Sequence, residues 1–82
     1  MISAFTLVKI SSQKSQDVFM KIKKLKPIEE ATIVYGEYDI IIKTITNSIE
    51  EINNFIYNTL RKMPHIIKTT TMIVARPNHT RK

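Results

Sequence analysis

The sequence predicts an α+β fold in which a four-stranded antiparallel sheet carries two helices on one face. Two observations lead to this prediction. Hydrophobic periodicity divides the chain into strand, helix, strand, strand, helix and strand, the βαββαβ order. In addition, 82 residues with 43% hydrophobic content are enough for one small domain. We expect residues 1–76 to form this domain and residues 77–82 to form a basic, flexible tail.

The first half of the chain supplies a strand, a helix and a second strand. Residues 2–10 are rich in β-branched and aromatic side chains and are apolar at odd and even positions, as in a strand buried on both faces. Apolar residues then recur at helical spacing from about residue 15 to residue 26, and Pro27 ends this helix. Alternation over residues 29–35 predicts the second strand.

The second half supplies the remaining strand, helix and strand. Residues 39–45 contain a continuous isoleucine run, which again indicates burial on two faces. Ser48 and Glu51 have the spacing of a capping box, and an apolar stripe continues from there to Met63. Residues 66–75, with three central threonines, form the last strand. Together the six elements predict the ferredoxin-like fold.

One face of such a sheet has no helices on it. The first and third strands are apolar on both parities, so this face would expose phenylalanine, leucine and isoleucine side chains. That patch is larger than a monomeric domain normally exposes. We therefore predict that the same face of a second copy covers it, giving a dimeric α/β barrel by sheet-to-sheet packing.

The chain contains a single glycine, Gly36, which joins the second and third strands and is followed by Tyr38 and Asp39. Glycine permits a tight turn at positive φ, and it also lets backbone amides approach a ligand closely. The Asp39 carboxylate adjoins an apolar strand, so it must be solvated or paired. It could cap backbone amides within the turn, or it could bind the ammonium group of a ligand. Position and residue type alone favour the cap.

The sequence argues against catalysis, metal binding and membrane insertion. There is no cysteine, and neither His65 nor His79 has a carboxylate at ligand spacing. No nucleophile elbow, P-loop or dinucleotide fingerprint is present. The N-terminus lacks the pattern of a signal peptide, and no apolar run is long enough to span a bilayer. We expect a cytoplasmic protein that is not an enzyme and needs no cofactor.

The net charge of +6 raises the question of nucleic-acid binding. Half of the excess positive charge has a simpler origin. Four lysines complement the helix dipole at the end of the first helix, and three basic residues lie in the terminal segment. The third strand also lacks the aromatic side chains on which RNA-recognition motifs stack bases. A solvated surface is the preferred interpretation, with weak attraction through the basic tail as an alternative.

Two segments together resemble a known family. Residues 34–43 read Val-Tyr-Gly-Glu-Tyr-Asp-Ile-Ile-Ile-Lys, and residues 63–74 read Met-Pro-His-Ile-Ile-Lys-Thr-Thr-Thr-Met-Ile-Val. These segments resemble the effector-binding RAM domain of the Lrp/AsnC (feast/famine) transcriptional regulators. The pattern of that family has a strand ending in Gly-x-x-Asp, an apolar strand, a helix ending near a proline and a last strand entered through Thr-x-Thr. The similarity extends over nearly the whole chain.

The resemblance implies a domain that dimerises sheet to sheet, assembles further into rings such as octamers, and binds small effectors between subunits. Such effectors are typically amino acids. Carried over to this sequence, the resemblance places ligand contacts at the turn and on the last strand. The implied contact residues are Gly36, Tyr38, Asp39, Thr69, Thr71 and Met72, and Ile73 is a further candidate.

Full-length members of that family begin with a helix-turn-helix domain, whereas this chain begins with the first strand of the RAM domain. We therefore expect a stand-alone module without sequence-specific DNA binding of its own, linked to transcription by sensing a metabolite. A protein that joins full-length regulators without a ligand is one alternative. An ACT-like amino-acid-binding module is another, less favoured because the loop at residues 11–14 lacks the glycine usual in ACT domains.

Overall fold

The computed structural model describes residues 1–11 and 14–75, so the predicted tail at residues 77–82 lies outside the described residues. The predicted order of elements is confirmed. A short π-helical turn, which the sequence did not predict, continues the second helix. The elements are β1 Ile2–Ile10, α1 Ser15–Ile22, β2 Ile28–Ile33, β3 Ile40–Thr46, α2 Ile49–Phe55, the π turn Ile56–Leu60 and β4 Ile66–Ile73.

The strands form one antiparallel sheet in the order β2-β3-β1-β4. This is the ferredoxin-like topology, with β1 and β3 in the centre and β2 and β4 at the edges. Because the central strands are paired on both sides and covered by the helices, their inward-facing side chains are shielded from solvent. Ala4, Val8, Ile40 and Ile42 are fully buried beneath the helices. Ile10 of β1 is also buried, and the helices contribute Val18, Ile22, Ile52, Phe55, Ile56 and Leu60.

Among the described residues, no helix lies on the opposite sheet face, as the sequence predicted. Successive strand residues point to opposite faces, and in β1 and β3 the even positions are buried while the odd positions are more exposed. Phe5 is 37% exposed and Met72, its partner on β4, is 51% exposed. We call this surface the open face; it consists of Ser3, Phe5, Leu7, Lys9, Glu30, Thr32, Ile41, Lys43, Ile45, Lys68, Thr70 and Met72.

Several element boundaries differ from the sequence prediction, mostly at the ends of elements. The first helix was expected to reach residue 26 but ends at Ile22, where the amide of Leu25 donates to the Ile22 carbonyl and begins a tighter turn toward Pro27. The second strand ends at Ile33 rather than at residue 35, because the chain bends into the glycine turn. The last strand ends at Ile73, two residues early.

The predicted capping box is present at the start of α2, with a shift of one residue. The Ser48 hydroxyl accepts a hydrogen bond from the amide of Glu51 at 3.2 Å. The Glu51 carboxylate in turn accepts from the amide of Asn47, one residue before the cap, at 3.0 Å. Both bonds satisfy backbone donors near the helix start, where no carbonyl is available. At the other end, the amide of Arg61 reaches the carbonyl of Ile56 at 2.9 Å and closes the π turn.

Candidate functional site

The glycine turn joins β2 to β3. Gly36 has φ +130°, a conformation that residues with a Cβ rarely adopt, and nothing lies within 4 Å of the place where a Cβ would be. The amide of Val34 donates to the carbonyl of Asp39 at 2.9 Å and closes the turn. Tyr35 is fully exposed beside the glycine. The glycine is therefore required by the backbone conformation, and no neighbouring atom in this protomer demands its small size.

Asp39 follows the turn and ties it to β1. Its Oδ2 atom accepts a hydrogen bond from the amide of Ile10 at 2.7 Å, and its own amide donates to the carbonyl of Val8 at 2.8 Å. The side chain is half-buried. Of the two interpretations of this carboxylate, the cap on a backbone amide is the one present within the protomer. A carboxylate with one oxygen so engaged can still accept further hydrogen bonds.

Tyr38 crosses the end of β1 to reach β4 on the open face. Its hydroxyl lies 2.9 Å from the hydroxyl of Thr70, and the Lys68 ammonium lies 5.8 Å from the centre of its ring. Lys9 and Lys68 are directly opposite each other in the register, a repulsive pair. The Lys9 ammonium donates to the carbonyl of Glu37 at 3.1 Å. This end of the open face is therefore polar and carries two lysines.

The predicted residues of the last strand lie on opposite sides of the sheet. Thr69 and Thr71 pair with the buried positions Val8 and Thr6, so they point toward the helices. Met72 pairs with Phe5 and points to the open face. The alternation of a strand makes this separation unavoidable for neighbouring positions. Within one protomer, the structure brings Tyr38 to Thr70 and does not bring the six predicted residues into one cavity.

Thr69 and Thr71 line a groove between the second helix and the edge strand. We call it the α2–β4 groove; its volume is about 280 Å³, and it is lined by Asn53, Ile56, Tyr57, Arg61, Thr69, Thr71 and Ile73. The Arg61 guanidinium lies 5.3 Å from the centre of the Tyr57 ring, within range of a cation–π contact. The Thr71 hydroxyl is 3.0 Å from that of Thr6, which is fully buried.

The helical side of this groove is not among the residues predicted from the sequence. Asn53, Tyr57 and Arg61 recur at intervals of four residues, beside the apolar stripe that was identified. That spacing indicates a shared helix face and was an available signal. It could not reveal that β4 lies next to this face, because the contact depends on the sheet order.

A larger depression of about 430 Å³ lies at the other end of the sheet, lined by Met1, Lys26, Pro27, Ile45, Thr46, Asn47 and Glu51. Within residues 1–11 and 14–75, no three histidine or acidic side chains are grouped so that they could hold a metal ion. Among the same residues, the helices are too short to cross a bilayer.

Comparison with known proteins places this geometry in a family. The model of the Lrp/AsnC ligand binding domain matches residues 3–80. The HTH-type transcriptional regulator FL11 of Pyrococcus horikoshii is 36% identical over 73 residues, which cover 89% of this chain and 48% of that protein. The chain thus spans about half the length of the curated relatives it matches. These relatives are transcriptional regulators by name.

Solved structures agree with this assignment. The crystal structure of the hypothetical protein PHS023 from Pyrococcus horikoshii is 38% identical, with a TM-score of 0.86, and the match covers 96% of this chain and 95% of that one. A complex of transcriptional regulator NMB0573 of Neisseria meningitidis with L-Met shares the fold at 18% identity, with a TM-score of 0.83 over 96% of this chain and 53% of that one. On the family match and the sequence identity, this chain belongs to the Lrp/AsnC family and forms its ligand-binding domain.

Proposed function

We propose that the chain is an oligomerisation and effector-sensing module linked to transcriptional regulation, and that its effector is an amino acid. The observation that carries this proposal is the open face, an apolar sheet surface continuous with the turn at Gly36 and Tyr38. Burying such a surface releases water from apolar groups and stabilises an assembly. We infer a cytoplasmic protein, since transcriptional regulators act where the DNA is.

A second copy is the proposed partner of the open face. Phe5 and Met72 lie opposite each other on this surface and are substantially exposed, so they would make an apolar centre for a symmetric contact. The lysines at the end of the face, Lys9 and Lys68, would remain near its rim. Larger rings such as octamers would then require a second contact, outside the open face.

The proposed effector site uses Gly36, Tyr38 and Asp39 from the turn with Thr69, Thr71 and Met72 from β4. Because these residues occupy both sides of the sheet in one protomer, the site must combine residues of different subunits. Free amides near Gly36 would hold the carboxylate of the effector and Asp39 its ammonium group. The L-Met bound by the regulator NMB0573 is a further argument for an amino acid.

A second candidate function is assembly without an effector. It is favoured by one observation: three of the proposed ligand contacts, the Tyr38 hydroxyl, the Asp39 carboxylate and the Thr71 hydroxyl, already have hydrogen-bond partners inside the protomer. In this case the module would act by joining full-length Lrp/AsnC regulators.

Calorimetric titration with each of the twenty amino acids, together with sedimentation velocity, tests the proposal. We expect a dimer or larger species and saturable heat with at least one amino acid. A monomeric species would contradict the sheet-to-sheet dimer. An oligomer that binds none of the amino acids, and that recovers a full-length regulator from a native extract, would favour the second candidate.

A further inference from the structure

We propose that the α2–β4 groove binds the carboxylate of a small aliphatic acid, with Arg61 as the carboxylate partner. The inference deepens the proposed function and rests on it, because Thr69 and Thr71 belong to both sites. It adds a chemical role for the helical side of the groove. It also gives a carboxylate a partner other than the amides near Gly36, and the Arg61 variants described below distinguish the two.

The charge of the groove favours an anion. Among the described residues that line it, Arg61 is the charged side chain, and the others are polar or apolar. Guanidinium groups bind carboxylates through two parallel hydrogen bonds, which are among the strongest in proteins. A groove whose charged group is a guanidinium has a complementary ligand in a carboxylate.

The π turn positions this guanidinium. Its closing bond, from the Arg61 amide to the Ile56 carbonyl, spans five residues and widens the helix locally. Tyr57 and Arg61 both lie along the groove, and the guanidinium packs over the tyrosine ring. A cation held against a ring has fewer conformations to lose when it binds a ligand. Single π turns within helices frequently occur at functional sites.

The remaining lining defines the rest of the ligand. Thr69 and Asn53 offer a hydroxyl and an amide, which can accept or donate hydrogen bonds. Ile56 and Ile73 provide apolar surface, and Ile73 is 39% exposed in the protomer, so a ligand could cover it. With a volume of about 280 Å³ the groove is at the lower limit of small-molecule sites. An aliphatic amino acid or its 2-oxo acid has the matching size, charge and apolar end.

Calorimetry with three probes tests the inference on the full chain. The probes are leucine, the corresponding 2-oxo acid and leucinamide, which has the same side chain but no carboxylate. We expect at least one acid to bind the wild-type protein, and leucinamide to bind about 10- to 100-fold more weakly than leucine, as loss of a charged hydrogen bond implies. The two acids distinguish an amino acid from a 2-oxo acid as the ligand.

Two variants of Arg61 and one matched control complete the design. Arg61→Gln should weaken binding of the acid about 10- to 100-fold and remove the preference over leucinamide, whereas Arg61→Lys should lose only part of it. Lys62→Gln removes the same charge from the neighbouring exposed residue and should bind like the wild type. Far-ultraviolet circular dichroism verifies that each variant is folded.

Three results would overturn the inference. If Arg61→Gln binds the acid with wild-type affinity, Arg61 is not the carboxylate partner. The proposed function would still stand in that case, because effector binding at the glycine turn would be independent of the groove. An equal loss of affinity in Lys62→Gln would show that the effect comes from the overall charge of the protein and not from the Arg61 guanidinium. Failure of both acids to bind the wild type would exclude this ligand class, and the sedimentation and twenty-amino-acid titrations would decide the proposed function separately.

Discussion

The Oδ2 atom of Asp39 accepts a 2.7 Å hydrogen bond from the backbone amide of Ile10. This bond connects the start of β3 to the end of β1, at a point where β1 has a register irregularity against β4. Because the residue also lies at the rim of the proposed effector site, it can serve the fold and the ligand together. Four experiments follow from this and from the neighbouring contacts.

Removing the Asp39 carboxylate should reduce stability. Asp39→Ala leaves the Ile10 amide without its acceptor, so we expect the free energy of unfolding to fall by about 1–3 kcal/mol. Asp39→Asn keeps an acceptor oxygen and should cost less. Glu37→Gln changes an exposed acid two residues away and is the control. Urea denaturation measures all three variants, and a cost in Glu37→Gln equal to that of Asp39→Ala would contradict the cap.

The hydroxyl pair of Thr6 and Thr71 should show energetic coupling. Thr71→Val leaves the buried hydroxyl of Thr6 without its partner, so we expect a loss of about 1–3 kcal/mol. Replacing both threonines by valine removes both polar groups and should cost less than the sum of the single changes. A double-mutant cycle in urea tests this expectation, and strict additivity would show that the two hydroxyls do not interact.

Substitution of Gly36 should destabilise through the backbone alone. A residue with a Cβ is strained at φ +130°, and we expect Gly36→Ala to cost about 1–3 kcal/mol. Because the space around the glycine is open, Gly36→Leu should cost about the same. Thermal denaturation of both variants gives the comparison. If Gly36→Leu lowers stability much more than Gly36→Ala, atoms outside this protomer crowd the turn. A contact between subunits would have this effect.

A charge in the centre of the open face should dissociate the proposed dimer. Phe5→Lys would place an ammonium group within the apolar contact, where its desolvation opposes association. We expect a folded monomer by sedimentation velocity. Ile49→Lys introduces the same change at an isoleucine that is 48% exposed on α2, and it should leave the oligomer unchanged. If Phe5→Lys stays fully assembled, the open face is not the interface.

The sequence by itself determined the order of the elements, the helix start at Ser48 and the uncovered apolar sheet face. Each of these follows from local patterns: periodicity, a capping pair three residues apart, and strands that are apolar on both parities. It also indicated that Asp39 caps an amide. The segments quoted for the resemblance pointed to the family that the comparisons establish.

Only the tertiary structure decided how the candidate residues are distributed. Sheet register puts Thr71 against Thr6 under the helices and Met72 against Phe5 on the open face, although the two are neighbours in sequence. The π turn and the sheet order together bring Arg61 to the edge strand. Both outcomes depend on which distant segments pair and in what register, and no local pattern of side chains specifies such long-range contacts.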